Sequence, residues 1–395
     1  MKIGIIIGLI SENESMFING IKLNALNLAK TLMEIEGTDV VILDTSTVVK
    51  DLTKVSWDYN KYRIEKYQDR KYDMDILIML GSSLPTSVIN DIRSKNKNTK
   101  IVKYQCGNSY VVDMERSIFD TAEDNAHPSW DHGHDETWLI PQQEYQNLEY
   151  FKVLYRHQDA DIKVVPFIWD PEQLDLFNDK LKAAGKLTPE YKPKPSNEKK
   201  LSVMEPNMNV VKYSIIPLLM TEVIYRENPD SFKQLYIGSG KKLLKNHYYM
   251  KGIKHLDCIS SDKVKYIARY PINVFLSSET DIVISHQWAN PLNYSYLDAM
   301  YYGYPIVHNA EMIQDAGYYY NAFDVTEGAN QLKKALTEHD DNLEEYNKVN
   351  KKILERYTST NPEIVDTYKK LIDNLFKPGT HEMSYEYDWK TNLYK

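Results

Sequence analysis

An α/β architecture of two doubly wound, Rossmann-like domains facing a cleft is what this sequence predicts, and three observations carry the prediction. Short apolar runs alternate with helical stretches in both halves of the 395 residues. A charged, proline-broken segment at residues 192–200, KPKPSNEKK, separates the two series. Residues 281–320, DIVISHQWANPLNYSYLDAMYYGYPIVHNAEMIQDAGYYY, read as a strand, a polar loop, a short helix, a Gly303-Tyr304-Pro305 turn and a second strand. Strands and helices in strict alternation build parallel sheets covered on both faces.

In the first half, residues 2–7 form a β-branched run that reads as a buried strand. Residues 18–34 carry Leu23, Leu26, Ala29, Leu32 and Met33 at helical spacing. Residues 40–44, 76–80 and 100–105 have strand character. The first two of these lack the apolar–polar alternation of half-exposed strands, which suits parallel strands buried on both faces. Residues 161–167 close the half and lead into VPFIWDP. A polar insert, residues 113–143, interrupts the pattern. In the second half, residues 201–204, 234–237, 281–285 and 305–308 read as strands and residues 213–225 as a helix. Residues 340–377 are strongly helical apart from a break at Pro362. The expected domains are residues 1–170 and 201–360, with a linker at 171–200 and a C-terminal helix and tail at 361–395. A chain of this length exceeds one typical core, and about 150–200 residues per domain is expected.

The totals exclude several classes. A formal charge of −8 opposes non-specific coating of nucleic acid, although a local basic face would not show in the sum. Only Cys106 and Cys258 occur, too few for a disulfide framework, so a reducing cytoplasm is expected. No apolar run approaches the roughly 18–20 residues that span a bilayer. The opening MKIGIIIGLI lacks a signal peptide's cleavage site. Abundant Lys, Asn and Ile, with 31 Tyr, are a bias that AT-rich bacterial and phage genomes alike produce.

In open parallel sheets ligands gather beyond the carboxyl ends of strands, where unpaired amides and the helix dipole favour anions. Residues 288–293 sit at such a place. Amides around Leu292, Asn293 and Tyr294 suit a diphosphate, and the Asn290 and Asn293 side chains suit hydroxyl groups. Asp298 follows Tyr294 by four residues on the same helical face. His127, His132 and His134, with Asp131, Asp135 and Glu136, match no firm metal-ligand spacing, so a polar loop is expected and no metal. Asp73-Met74-Asp75 stands before a buried strand and is set aside. Lys241–Lys251 mixes charge with aromatics; a solvated helix face and a phosphate-gripping patch both fit it.

LDAMYYGYPIVHN resembles the EAM-x-x-G-x-P-V-V signature of GT-B glycosyltransferases, particularly the large retaining family with an E-x7-E motif. Asp298 falls on the second Glu of that motif, whose implied role is to bind ribose. Asn290 falls on the first, whose implied role is to contact the donor sugar, so this chain reads N-x7-D. VPFIWD and QLYIGSG are similar to the family's crossover and second-domain strand. LSVMEPNMNVVK occupies the place of the segment that brings an Arg and a Lys to the donor diphosphate, with Lys212 as the Lys and Glu205 near the Arg position. The whole chain also resembles a bacterial and phage family known only as a domain of unknown function, through NGIKLNA, CGNSYVVDME, VPFIWDP, MEPNMNVVK and SHQWANPLNY.

The resemblance implies a transferase that moves a sugar from a UDP- or GDP-sugar to a hydroxyl, with no cofactor. The first domain would present the acceptor and the second would bind the donor. Donor-site candidates are Gly20 and Lys22 at the first helix, Asn207, Asn209 and Lys212 after the domain crossover, and His286, Asn290, Leu292, Asn293, Tyr294 and Asp298. The Asn19-Gly20 turn also fits an ordinary strand-to-helix connection with Asn as cap. Asp113 and Glu115 are the candidate catalytic bases. Two acceptors are weighed, hydroxymethylcytosine in phage DNA and a bacterial surface glycan. A catalytically silent nucleotide-sugar-binding protein is the reading from another class.

Overall fold

The computed structural model describes residues 1–17, 20–55, 61–119, 130–377, 387–388 and 390–394. The chain divides into two compact units, Met1–Asp170 together with Arg356–Lys395, and Pro171–Glu355.

The first unit is built on seven strands: β1 (Lys2–Ile7), β2 (Asp39–Asp44), β3 (Ile64–Lys66), β4 (Ile76–Met79), β5 (Lys100–Gln105), β6 (Glu136–Leu139) and β7 (Ile162–Val164). They pair in parallel in the order β3-β2-β1-β4-β5-β6-β7. Ile3, Ile5, Ile6 and Ile7 of β1 are fully buried, as a central strand covered on both faces requires. Gly4 lets β2 approach, because a Cβ there would stand 2.5 Å from Leu43 Cδ1. The helix Gly20–Met33 buries Ala25, Leu26, Leu28, Ala29 and Leu32.

The chain returns to this unit at its end. The helix Pro362–Leu375 starts with Pro362 in its first turn, where a missing N–H costs nothing, so the expected break is a helix start. Tyr368 OH donates to Pro166 O at 2.8 Å, and the Asn392 side chain holds both backbone groups of Phe167 at 3.0 and 2.8 Å. The polar insert expected at residues 113–143 contains regular structure among its described residues. Its start completes the helix Ser109–Phe119, and β6 occupies its end. His127 lies outside the described residues.

The second unit has six strands: β8 (Lys200–Val203), β9 (Gln234–Ile237), β10 (Val264–Tyr266), β11 (Ile282–Ile284), β12 (Ile306–His308) and β13 (Tyr318–Tyr319). All pair in parallel in the order β10-β9-β8-β11-β12-β13. Renumbered within each unit, both sheets begin 3-2-1-4-5-6, the doubly wound order. The helix Ile215–Glu227 packs on Val325–Thr337, and Tyr294–Tyr301 packs on Leu343–Glu355. Among the described residues no helix is long and apolar enough to cross a membrane.

The segment at residues 192–200, expected as a solvated linker, is fastened to the second unit. Lys194 pairs with Asp281 at 2.6 Å, Lys200 with Glu279 at 3.0 Å and Lys199 with Asp340 at 3.0 Å. Lys199 is buried and also donates to Leu336 O at 3.1 Å, because Asp340 and that carbonyl supply what water would. Replacing Asp340 by Ala strands this ammonium and a hydrogen bond from Tyr191. We expect urea unfolding of Asp340→Ala to show a loss of about 2–3 kcal/mol, reduced from a fully buried pair because Asp340 is partly exposed.

Candidate functional site

In the second sheet β8 and β11 lie side by side at the point where the strand order reverses, where open parallel sheets form their ligand crevice. The loop after β8 contains Glu205, Asn207, Asn209 and Lys212, and the loop after β11 contains residues 285–293. The two are joined directly. Trp288 N–H donates to Val211 O at 2.9 Å, and Lys212 and Gln287 form an isolated antiparallel bridge. Both loops contain a left-handed non-glycine residue, Asn207 at φ 51° and Ala289 at φ 52°. The loops after β9 and β13 add Ser239 at φ 52° and Ala322 at φ 45°. Such residues cost about 1–2 kcal/mol each and gather where a loop must hold one shape.

Glu205 is the buried centre of this junction. Its carboxylate accepts from Ser285 Oγ and, at 2.9 Å, from Gln287 Nε2. Burial pushes its pKa up, while the Ser285 bond, the Lys212 charge and the Gln287 bond oppose that rise. Gln287 in turn accepts through Oε1 from Asn290 Nδ2 and, at 3.2 Å, from Asn293 Nδ2. Its backbone N–H and C=O are both taken by Asn309, at 3.0 and 2.9 Å. Neither Glu205 nor Gln287 was singled out as a ligand-site residue in the sequence. No local signal marks Gln287, whose partner stands 82 positions away.

The structure brings the second-domain candidates to this crevice in different states. Asn207 is consumed by the fold: Nδ2 donates to Glu205 O and Gly238 O at 3.0 and 3.1 Å, and Oδ1 accepts from Ser214 N–H at 2.9 Å. Asn209 Oδ1 is buried with no partner among the described residues. Asn293 caps the helix Tyr294–Tyr301, accepting from Ser295 N–H at 3.4 Å. Leu292 and Tyr294 are buried beside it, and Asp298 is buried one turn further along. Gly303, at φ 72°, ends the helix; its amide bonds Met300 O at 3.0 Å.

His286 adds a defined lone pair. Tyr320 OH donates its single proton to Ser285 O at 3.0 Å, so the 2.9 Å contact between Tyr320 OH and His286 Nδ1 must use the imidazole proton. Nε2 is therefore an acceptor, and it is buried without a partner among the described residues. Burial pulls this imidazole down to about 4, so it is neutral at pH 7.

The first-unit candidates lie on the first sheet. Lys22 is buried on the first helix, donates to Gly8 O after β1 and stands 3.5 Å from Glu14. Gly20 is exposed at the start of that helix. A cavity of about 340 Å³ opens at the ends of β4 and β5, with Gly81, Ser82, Lys103, Cys106 and Asp113 in its wall. Asp113 accepts from Tyr150 OH at 2.7 Å and from Trp130 Nε1 at 3.4 Å. Glu115 follows by two residues on the same helix, about 200° around the axis, and is not in the wall. Lys103 was not anticipated. It is buried, lies 4.5 Å from the centre of the Tyr155 ring, and burial lowers its pKa to about 8.

Two parallel doubly wound sheets of seven and six strands are the GT-B architecture, and solved glycosyltransferases share it. A glycosyltransferase from Rickettsia africae ESF-5 superposes with a TM-score of 0.57 at 12% identity, covering 95% of this chain and 99% of its own. Anabaena Alr3699/HepE in complex with UDP-glucose gives 0.57 at 13%, covering 94% and 100%. An alpha-glucosyltransferase (AGT) in complex with UDP gives 0.57 at 12%, covering 95% and 100%. Residues 3–372 match the family described as "Protein of unknown function (DUF2827)", and the chain belongs to that family. No curated protein matches the sequence.

The buried imidazole has a measurable consequence. A group whose folded pKa is depressed, here from 6.5 to about 4, adds stability above its unfolded value and loses it as pH falls toward the folded value. Between about pH 6.5 and 4, wild-type melting temperature should therefore fall more steeply than that of His286→Gln. Parallel curves in calorimetry at stepped pH would show that His286 is not held neutral.

Proposed function

We propose that this protein is a glycosyltransferase that moves a sugar from a nucleotide-diphosphate sugar to a hydroxyl acceptor. The observation that carries the reading is the switch point between β8 and β11, where the loops that carry Lys212 and the amides at Leu292 to Tyr294 are stitched together, with buried Asp298 on the helix that follows. Lys212 and the helix amides would meet the charge of the diphosphate as it leaves. Asp298 would accept from ribose hydroxyls. The N-x7-D spacing relates the site to retaining enzymes of the E-x7-E type. Asp113, in the wall of the first-unit cavity, would serve as base if the reaction inverts. UDP and UDP-glucose bound to the structural neighbours support a uridine nucleotide as the first donor to test.

For the acceptor, hydroxymethylcytosine in DNA is supported by the exposed surface around Lys241, Lys245 and Lys251, where Tyr248 is 90% exposed. The basic segment at residues 192–200 does not add to that case, since Lys194, Lys199 and Lys200 are ion-paired within the second unit. A surface glycan is the competing acceptor. Release of nucleotide from a panel of UDP- and GDP-sugars, with hydroxymethylated DNA or glycan oligosaccharides added, separates the two. Donor binding without turnover on any acceptor would favour a silent binding protein.

Asp298→Ala tests the site itself. Calorimetric titration should show donor affinity falling at least tenfold, about 1.4 kcal/mol, while the circular dichroism spectrum is kept. Unchanged donor affinity would sink the assignment.

A further inference from the structure

Strand β7 ends at Val164, and beyond it the backbone of residues 165–170 is held from several directions. Val165 N–H still reaches Leu139 O at 2.8 Å. Tyr368 holds Pro166 O, and Asn27 Nδ2 donates to Ile168 O at 3.3 Å. Trp169 pairs in parallel with the returning chain: its N–H donates to Tyr357 O at 2.7 Å and its C=O accepts from Ser359 N–H at 3.1 Å. The chain leaves the first unit after Asp170 and re-enters it at Arg356, so the segments flanking both crossings run side by side within that unit.

Asn392 fastens both segments. Its Oδ1 accepts from Phe167 N–H at 3.0 Å, and its Nδ2 donates to Phe167 O at 2.8 Å and to Arg356 O at 3.0 Å. One amide thus meets Phe167 as a neighbouring strand would, and gives its second hydrogen to the returning chain. The side chain is fully buried, and its backbone φ of 61° is one that Asn adopts more readily than most residues. Yet it stands on a very small element. Tyr387–Asp388 and Leu393–Tyr394 form a two-stranded hairpin, closed by bonds from Thr391 and Asn392 N–H to Asp388 O at 3.2 and 2.9 Å. A hairpin of that size is marginal by itself and belongs to the low-stability end of a structure.

We propose that the C-terminal hairpin is a strap on the connection between the units: with Asn392 seated the two crossings are held as one pair, and with it released they loosen together while each sheet stays folded. Three hydrogen bonds from one side chain hold two chain segments, so whatever draws the hairpin away frees Phe167 and Arg356 in one step. Their backbone groups must then find water, which favours local opening over the closed pair. The strap works in this way whatever the second unit binds, and no ligand is needed to test it.

Hydrogen exchange of the full chain, resolved to single amides, is the test. In wild type at low guanidinium, the amides of Phe167, Trp169 and Ser359 should open together with those of Thr391 and Asn392, at one free energy below that of β1 and β11. Crossing amides that exchange only when β1 does overturn the strap. In Asn392→Ala the same crossing amides should exchange about tenfold faster or more, with β1 and β11 unchanged. Acceleration at Phe167 alone would show a single local bond, and acceleration across β1 would show an ordinary core residue; either overturns the proposal. Asn392→Asp keeps an acceptor for Phe167 N–H but turns a carboxylate oxygen on two carbonyls, so it should release the crossings as the Ala variant does. Wild-type protection of Trp169 and Ser359 in Asn392→Asp also overturns it. Should neither variant fold, the guanidinium series on wild type decides.

Discussion

The second unit depends on how one crevice is closed. At the reversal of strand order β8 and β11 run side by side, but their chains leave for different helices, so the loops between them have no ladder to satisfy their polar groups. Side chains do that work instead. Glu205 ties Ser285 and Gln287, Asn207 ties the loop after β8 to Gly238, and Asn309 ties Gln287 to the end of β12. A carboxylate buried here is tolerable only because its oxygens are hydrogen-bonded and Lys212 lies near enough to oppose the rise in its pKa. Left-handed Asn207 and Ala289 are what the backbone gives up to bring those side chains together.

The first sheet has the same opening order and uses it differently. Its reversal lies between β1 and β4, and there Lys22 reaches back to the loop after β1 beside Glu14. A buried lysine spent on a carbonyl and a carboxylate stabilises that loop. The open volume sits one strand along, beyond β4 and β5, where Lys103 is held over Tyr155 by the first unit's own core. The two units are therefore unlike in chemistry although alike in topology, one crevice lined by amides and a carboxylate, the other cavity walled by a lysine, serines and an aspartate.

Much of the fold was legible because its central strands are apolar on both faces. Strand β1 falls where its apolar run placed it, and β4 and β8 each fall within one residue of theirs. The strands not foreseen are short or carry buried polar groups. In β6, Glu136 is kept buried by Lys163 and by Trp138 Nε1 at 2.8 Å, and Thr137 by His134 and His157 at 2.9 Å each. Those residues look like a solvated loop until their partners are known. The return of the chain at Arg356 to the first unit is equally invisible, since it rests on contacts such as Thr31 Oγ1 to Ser359 O, 328 positions apart. In the crevice the loops and their polar character could be read, but the partner of each amide could not.

The Asn at position 290 looks like a lost charge when the loop after β11 is considered alone. Together with the loop after β8, it looks like a charge placed elsewhere. Glu205 already supplies a carboxylate that reaches the same Gln287, and a second carboxylate bridged to it by one amide would be disfavoured by like charge. Lys212 is the cation that acts on Glu205, so a second acid would leave this junction with net negative charge before any diphosphate arrived. An amide at 290 donates to Gln287 Oε1 and Leu292 O and avoids that repulsion. It follows that Glu205, Gln287 and Asn290 should be considered as one unit, in which any change of charge at one end must be answered at the other.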